Sequence, residues 1–146
     1  MSYCYNPTCK KPENPDQNKF CQSCGSKLIL REHYRLLKPI GMGTFSRTFL
    51  AVDEDIPSKS VSVIKQFLPI ATPGKNAEQN INEIEKASIS FHREALQLDK
   101  LGKHPQIPSL LAYFFVSSYK YLVQEYIQGK NLAQELKEQG TFDEQK

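Results

Sequence analysis

Short runs of apolar residues, separated by turn-forming residues, dominate the chain after residue 33. In 60–67 the odd-numbered positions, including Val61, Val63 and Phe67, fall on one face of an extended strand and the even-numbered positions on the other. Comparable runs cover residues 34–40, 45–52, 110–116 and 119–126. We therefore predict five β-strands, of which the first three are neighbours in sequence and form an antiparallel meander.

A different period separates the third predicted strand from the fourth. From Ala77 to Leu101 apolar residues recur at steps of three and four, which predicts one long amphipathic helix. Gly102 follows directly and is a natural C-terminal stop for a helix. The stripe that we expect to face the sheet comprises Ile81, Ile84, Ala87, Ser88, Phe91, Glu94, Ala95, Leu98 and Leu101.

The first 30 residues differ in composition from the rest of the chain. They hold all four cysteines and few aliphatic residues, so side chains alone cannot form a core there. The spacing is Cys4-x4-Cys9, then eleven residues, then Cys21-x2-Cys24-Gly25. Four thiolates in a tetrahedron are typical of structural Zn²⁺, with no open position for a reacting water. We predict a zinc-ribbon-like module with these four ligands; two disulfides or free thiols remain as alternatives.

Charge and hydropathy argue against several other classes of protein. The formal net charge is only +3, so we expect no nucleic-acid partner. The longest apolar run, Leu110–Val116, is about a third of the length that a membrane span needs. The N-terminal sequence lacks the basic and apolar parts of a signal peptide. We therefore expect no membrane segment in this chain and a cytoplasmic location, where clustered cysteines more often bind metal than form disulfides.

A glycine-rich hairpin, a lysine and a glutamate form the candidate ligand site. Gly41 and Gly43 lie between two predicted strands, where a backbone without side chains can closely approach a phosphate. A strand follows rather than a helix, and no Gly-Lys-Ser/Thr occurs, so neither a dinucleotide-binding fingerprint nor a Walker loop fits. Lys65 lies on the apolar face of its strand, which is costly unless the ammonium meets an anion. A bound phosphate and Glu94, on the inward stripe of the helix, are the two candidates.

Together these motifs resemble the N-terminal lobe of protein kinases, and more narrowly of bacterial eukaryotic-like serine/threonine kinases with a four-cysteine prefix. The matching segments are, in order, Gly41-Met-Gly43-Thr-Phe-Ser46, Val63-Ile-Lys65, Phe91-His-Arg-Glu94, His104-Pro-Gln-Ile-Pro and Tyr121-Leu-Val-Gln-Glu-Tyr-Ile. The resemblance implies an α+β fold in three parts. These are a zinc ribbon in 1–30, a kinase N-lobe with a five-stranded antiparallel sheet and one long helix in 34–128, and the hinge exit and start of the helical C-lobe in 129–146.

The same resemblance implies that ATP and Mg²⁺ are cofactors and that the whole protein phosphorylates Ser or Thr of protein substrates. Lys65 matches the lysine that holds the α- and β-phosphates, and Glu94 matches its partner. Gln124 occupies the gatekeeper position. The other implied nucleotide-binding positions are the phosphate loop (Gly41, Gly43, Thr44), the walls of the adenine site (Ile40, Thr48, Val63) and the hinge (Glu125, Ile127).

The sequence departs from the kinase pattern in two respects. Ser46 replaces the last glycine of the loop, and neither a His-Arg-Asp-type catalytic loop nor Asp-Phe-Gly occurs, so the base and the Mg²⁺ ligands are missing. A helix-start signal at 141–144 has no helix after it, so we expect a fragment with no kinase activity alone. We expect His92 and His104 to be structural or solvated. The alternative functions are a non-catalytic, zinc-linked nucleotide-binding or scaffold module resembling a pseudokinase, and a zinc-ribbon nucleic-acid binder.

Overall fold

The computed structural model describes residues 1–102, 106–117 and 119–126. In these residues the chain forms eight strands and one helix. Their bounds, in chain order, are β1 Ser2–Tyr3, β2 Glu13–Asn14, β3 Ile29–Leu30, β4 Tyr34–Met42, β5 Ser46–Asp53, β6 Val61–Phe67, α1 Ala77–Leu101, β7 Leu110–Val116 and β8 Tyr119–Glu125.

The main sheet is antiparallel throughout and has the strand order β3-β4-β5-β6-β8-β7. The five predicted strands are all present, but the predicted total of five was one too few. The additional strand, β3, is only two residues long and pairs with the start of β4 through Leu30 and Tyr34. It comes from the short apolar run that ends the cysteine-rich segment, so this segment is part of the sheet rather than separate from it.

Helix α1 has the bounds that its periodicity predicted. A capping box closes its N-terminus, because the Asn76 side chain accepts from the Gln79 N–H while the Gln79 side chain accepts from the Asn76 N–H. Gly102 ends it with φ of 58°, a backbone conformation that favours glycine. The predicted stripe was too long: Ile81 is 56% exposed and Leu101 is 49% exposed, because the packed part of the helix runs only from residue 84 to residue 98.

Both faces of the sheet are covered, and each has its own apolar core. Between α1 and the sheet, the buried residues are Phe67, Phe91, Ala95 and Leu122. The outer face carries the larger cluster, comprising Leu30, Leu36, Phe49, Ala51, Ile64, Phe114, Tyr121 and Val123. Strand β6 contributes to both cores because successive side chains alternate between the faces of a sheet.

The cysteine module, defined as residues 1–30, packs against the outer face. Its own small core consists of Cys4, Cys21 and Leu28, with Cys9 beside them. The ring of Tyr3 lies 5.6 Å from that of Phe49, and the ring of Tyr5 lies edge-on to that of Tyr121 at 6.2 Å. These contacts join the module to the sheet at the middle of the outer core. No helix in the described part of the chain is long and apolar enough to span a bilayer.

Candidate functional site

The predicted ligand-binding residues of three strands lie on one face of the sheet, the face that α1 also covers. Thr48 on β5 is directly opposite Lys65 on β6, and Lys65 is directly opposite Leu122 on β8. Val63 on β6 is directly opposite Gln124 on β8, and this pair is the next one on the same face of the sheet. Directly paired residues in an antiparallel ladder project to the same side. The register therefore brings together the positions that lie far apart in the sequence.

Lys65 and Glu94 form an ion pair across the space between β6 and α1. The Lys65 Nζ donates to Glu94 Oε1 at 2.9 Å, and the two side chains are 31% and 33% exposed. The Phe91 ring, one helical turn before Glu94, lies 5.9 Å from the ammonium. The pair is thus neither buried nor free in solvent, and a second anion can reach the remaining donors of the ammonium.

The glycine-rich hairpin joins β4 to β5 next to this ion pair. Its turn is closed by a hydrogen bond of 2.8 Å from the Gly43 N–H to the Ser46 carbonyl. A Cβ atom at Gly43 would lie 2.9 Å from Ser46 Oγ, so the glycine allows a close approach that a larger residue would obstruct. Gly43 and Thr44 are exposed. Ser46 itself, the predicted departure from the kinase pattern, is part of β5 and closes the turn.

The walls of the site are formed by half-buried and buried residues. Ile40, Gly41 and Thr48 are half-buried, with Gly41 directly opposite Thr48 in the β4–β5 ladder, and Val63 is buried. Gln124 is 2% exposed, and its Nε2 has no hydrogen-bond partner among the described residues.

At the end of β8, Glu125 is held by Ser109. The Glu125 carboxylate accepts from the Ser109 N–H at 2.9 Å, and the Glu125 N–H donates to the Ser109 carbonyl at 3.0 Å. His92 Nδ1 lies 3.2 Å from the Tyr113 hydroxyl on the exposed side of the helix. Ile127, His104 and the segment 129–146 lie outside the described residues.

The four cysteine sulfurs form a compact group in the module. Cys4 Sγ lies 3.6 Å from Cys24 Sγ, and Cys9 Sγ lies 3.6 Å from Cys21 Sγ. All four sulfurs lie within 4.8 Å of one another. A tetrahedron with metal–sulfur bonds of about 2.3 Å has edges of about 3.8 Å, whereas a disulfide is about 2.05 Å long. The donor set fits a metal ion, and the alternative of two disulfides is not what the structure contains.

The surroundings of the cysteines favour ionisation of one sulfur in each close pair. Burial raises the pKa of Cys4, and desolvation also raises the pKa of Cys9. Desolvation opposes ionisation of Cys21 too, but hydrogen bonds from the Cys24 amide and the Asn14 side chain lower its pKa to about 6. The hydrogen bond with Ser26 lowers the pKa of Cys24. A cation between the two pairs would favour the thiolate form of all four cysteines.

One contact between the cysteine module and the sheet was not predicted from the sequence. The Tyr5 carbonyl, next to Cys4, accepts hydrogen bonds from Arg47 Nη2 at 3.0 Å and from Gln66 Nε2 at 2.8 Å. A backbone acceptor has no side-chain signature, so no spacing rule could have identified it. The one signal in the sequence was Gln66, a polar residue within a predicted strand.

Comparison with known proteins identifies the family. No protein-family model matches the chain. "Serine/threonine-protein kinase B" of Synechocystis sp. is 43% identical over 144 residues, which are 99% of this chain and 24% of the relative. "Serine/threonine-protein kinase F" of Synechocystis sp. is 36% identical, over 88% of this chain and 27% of the relative. "Serine/threonine-protein kinase PknA" of Nostoc sp. is 38% identical, over 80% of this chain and 20% of the relative.

Over nearly its whole length, the chain is homologous to bacterial serine/threonine protein kinases. The kinase resemblance predicted from the sequence is thereby confirmed. The chain spans about a quarter of the length of these kinase relatives.

The fold agrees with this homology. The solved structure described as "PpkA-294 apo form" matches with a TM-score of 0.55 at 21% identity, over 74% of this chain and 40% of that one. At this identity the match bears on the fold alone. The antiparallel sheet with its one long helix fits the N-terminal lobe of a kinase, and the Lys65–Glu94 pair joins the sheet to that helix.

Proposed function

We propose that this chain is the ATP-binding portion of a protein kinase that transfers the γ-phosphoryl group of ATP to Ser or Thr of protein substrates. The observation that carries the proposal is the contact of 2.9 Å between Lys65 Nζ and Glu94 Oε1, beside a glycine hairpin, in a kinase homologue. An ammonium on a sheet, oriented by a carboxylate and still reachable from outside, is suited to hold phosphate oxygens.

Each predicted site residue then has a role. Lys65 binds the α- and β-phosphates, and Glu94 keeps the ammonium in place. Gly41, Gly43 and Thr44 bring the hairpin backbone close to the phosphates. Ile40, Thr48, Val63 and the gatekeeper Gln124 surround the adenine ring, while the main chain of Glu125 and Ile127 pairs with its edge.

The chemical step requires groups that this sequence does not contain. Mg²⁺ neutralises the charge of the phosphates when it is bound, and a catalytic base accepts the proton of the substrate hydroxyl. The sequence has neither a His-Arg-Asp loop nor Asp-Phe-Gly to supply these functions. We propose that a helical lobe, of which 129–146 is the beginning, supplies them. The 146-residue chain alone is therefore expected to bind nucleotide without turning it over.

For residues 1–30 we propose a structural Zn²⁺ site. Cys4, Cys9, Cys21 and Cys24 supply four sulfurs at separations that suit a tetrahedral ion. Four protein ligands leave no open position, so the ion would hold the fold rather than take part in the reaction. The domain division is then a metal module in 1–30 and a kinase N-lobe in 34–128, in a protein located in the cytoplasm.

The test is phosphoryl transfer by a protein extended to the length of the kinase relatives. We expect it to transfer label from [γ-³²P]ATP to a protein substrate, and Lys65→Met to reduce the rate by at least about a hundredfold because phosphate positioning is lost. A Lys65→Met protein that keeps its activity would contradict the role of Lys65. An extended protein that binds ATP and transfers nothing would favour the non-catalytic, pseudokinase-like alternative.

A further inference from the structure

The cysteine module contacts the strand pair directly behind the candidate nucleotide site. Tyr5 follows Cys4 in the sequence, and its carbonyl accepts from Arg47 Nη2 at 3.0 Å and Gln66 Nε2 at 2.8 Å. Arg47 and Gln66 are directly opposite each other in the β5–β6 ladder. The next pair in that ladder is Thr48 with Lys65, which projects to the other face of the sheet.

Gln66 is the centre of this contact. Its side chain is fully buried, and its Oε1 accepts from Arg47 Nε at 3.0 Å. Its Nε2 donates both to the Tyr5 carbonyl and to the Tyr121 hydroxyl, the latter at 2.8 Å. Both hydrogens of the amide are therefore used, and the network has no spare donor on Gln66.

Loss of the Tyr5 carbonyl would leave Gln66 with an unsatisfied buried hydrogen. Buried polar groups that lose a partner are costly, so a movement of the strands that gives Gln66 a new partner becomes favourable. A shift of β5 against β6 at Arg47 and Gln66 also moves Thr48 and Lys65, because Thr48 follows Arg47 on β5 and Lys65 precedes Gln66 on β6.

We propose that the Tyr5 carbonyl couples the metal-held cysteine module to the nucleotide site, with Gln66 and Arg47 as positioning residues for Lys65. This inference rests on the proposed function of the Lys65 site. A module held by Zn²⁺ keeps the Tyr5 carbonyl in place and raises nucleotide affinity. Because coupling between two sites is reciprocal, bound nucleotide also raises the affinity of the module for Zn²⁺.

The experiment compares Gln66→Met with Ser62→Ala in the zinc-loaded protein. Ser62 is the matched control, because it is buried on the same face of β6 and its Oγ has no hydrogen-bond partner among the described residues. The first readout is hydrogen–deuterium exchange of the Thr48 and Lys65 amides. The second is the dissociation constant of the ATP analogue AMP-PNP, with Mg²⁺ present, before and after zinc is removed by a nitrogen-donor chelator that leaves Mg²⁺ in solution.

We expect Gln66→Met to accelerate exchange at both amides and to weaken AMP-PNP binding by about fivefold, whereas Ser62→Ala leaves both unchanged. Zinc removal should weaken AMP-PNP binding by a similar factor in the wild type. In Gln66→Met it should cause little further weakening. If zinc removal weakens AMP-PNP binding by the same factor in Gln66→Met as in the wild type, the two effects are independent and the proposal is overturned. A Gln66→Met protein that behaves like Ser62→Ala would also overturn it.

Two further outcomes have defined meanings. If Gln66→Met does not fold, zinc removal from the wild type decides: faster exchange at Thr48 and Lys65 supports the coupling, and unchanged exchange overturns it. A wild-type protein that binds no AMP-PNP would overturn the proposed function, while the exchange measurement would still test the contact.

Discussion

The Lys65 ammonium and the Glu94 carboxylate lie 2.9 Å apart although they are 29 positions apart in the sequence. Strand β6 places the lysine on the face that α1 covers, and the packing of Phe91 and Ala95 fixes which side of the helix faces the sheet. Both side chains remain about one third exposed, at 31% and 33%. The pair is therefore open to a ligand, and solvent weakens its contribution to stability.

Glu94→Gln should separate stability from ligand binding. The substitution removes the ion pair but keeps a side chain of similar size, so the free energy of unfolding should fall by less than about 1 kcal/mol. ATP affinity should fall by about tenfold, because the ammonium is no longer held by a charged partner. Urea unfolding and nucleotide titration measure the two effects. Glu85→Gln, an exposed position on the same helix, is the control, and equal losses of affinity in both variants would contradict the role of Glu94.

Removal of metal from the cysteine module should destabilise the chain. The module has only a small core of its own, so a cross-linking ion supplies much of its folding free energy. A zinc chelator should lower the midpoint of thermal unfolding by more than about 5 °C. The same chelator should have little effect on Cys24→Ser, whose site lacks one ligand. An unchanged midpoint in the wild type would argue against a structural metal.

Zinc binding should release protons in a number set by the cysteine pKa values. The raised pKa values of Cys4 and Cys9 keep these thiols protonated at pH 7.5, whereas Cys21, with its pKa lowered to about 6, is mostly ionised. Binding should therefore release about two to three protons at pH 7.5 rather than four. As the pH falls through about 6, Cys21 also becomes protonated, so proton release should rise and zinc affinity should fall. Calorimetry in buffers of different ionisation enthalpy measures this number; release of four at pH 7.5 would contradict the assignment.

Much of the fold was predictable because local signals agreed with one another. The bounds of α1 follow from a long periodic segment that ends at Gly102, and the five long strands follow from alternation between turn signals. Lys65 and Glu94 could be paired in advance because a charged group on an apolar face needs a partner. The contacts of the cysteine module were not predictable. Strand β3 is two residues long, and the acceptor for Gln66 is the backbone carbonyl of Tyr5, which no side-chain pattern reveals.

The turn between β3 and β4 should be stabilised by glycine. Arg31 and Glu32 have φ of 52° and 62°, the left-handed region that costs a residue with a Cβ about 1–2 kcal/mol. Glu32→Gly should raise the free energy of unfolding by up to about 1 kcal/mol, after the entropy cost of glycine is subtracted. Glu32→Ala is the matched control, since alanine keeps the Cβ and should leave stability nearly unchanged. Chemical unfolding of both variants measures the difference, and a Gly variant no more stable than the Ala variant would rule out the strain.

Nucleotide affinity of the chain with and without the Lys65 ammonium tests the central claim most directly. Equilibrium titration with MgATP is made on the wild type, on Lys65→Met, and on Lys86→Met, which alters an exposed lysine of α1. The account predicts that Lys65→Met binds at least about tenfold more weakly while Lys86→Met matches the wild type. Equal affinity of the wild type and Lys65→Met, with both proteins folded, would contradict an ATP site built on the Lys65–Glu94 pair.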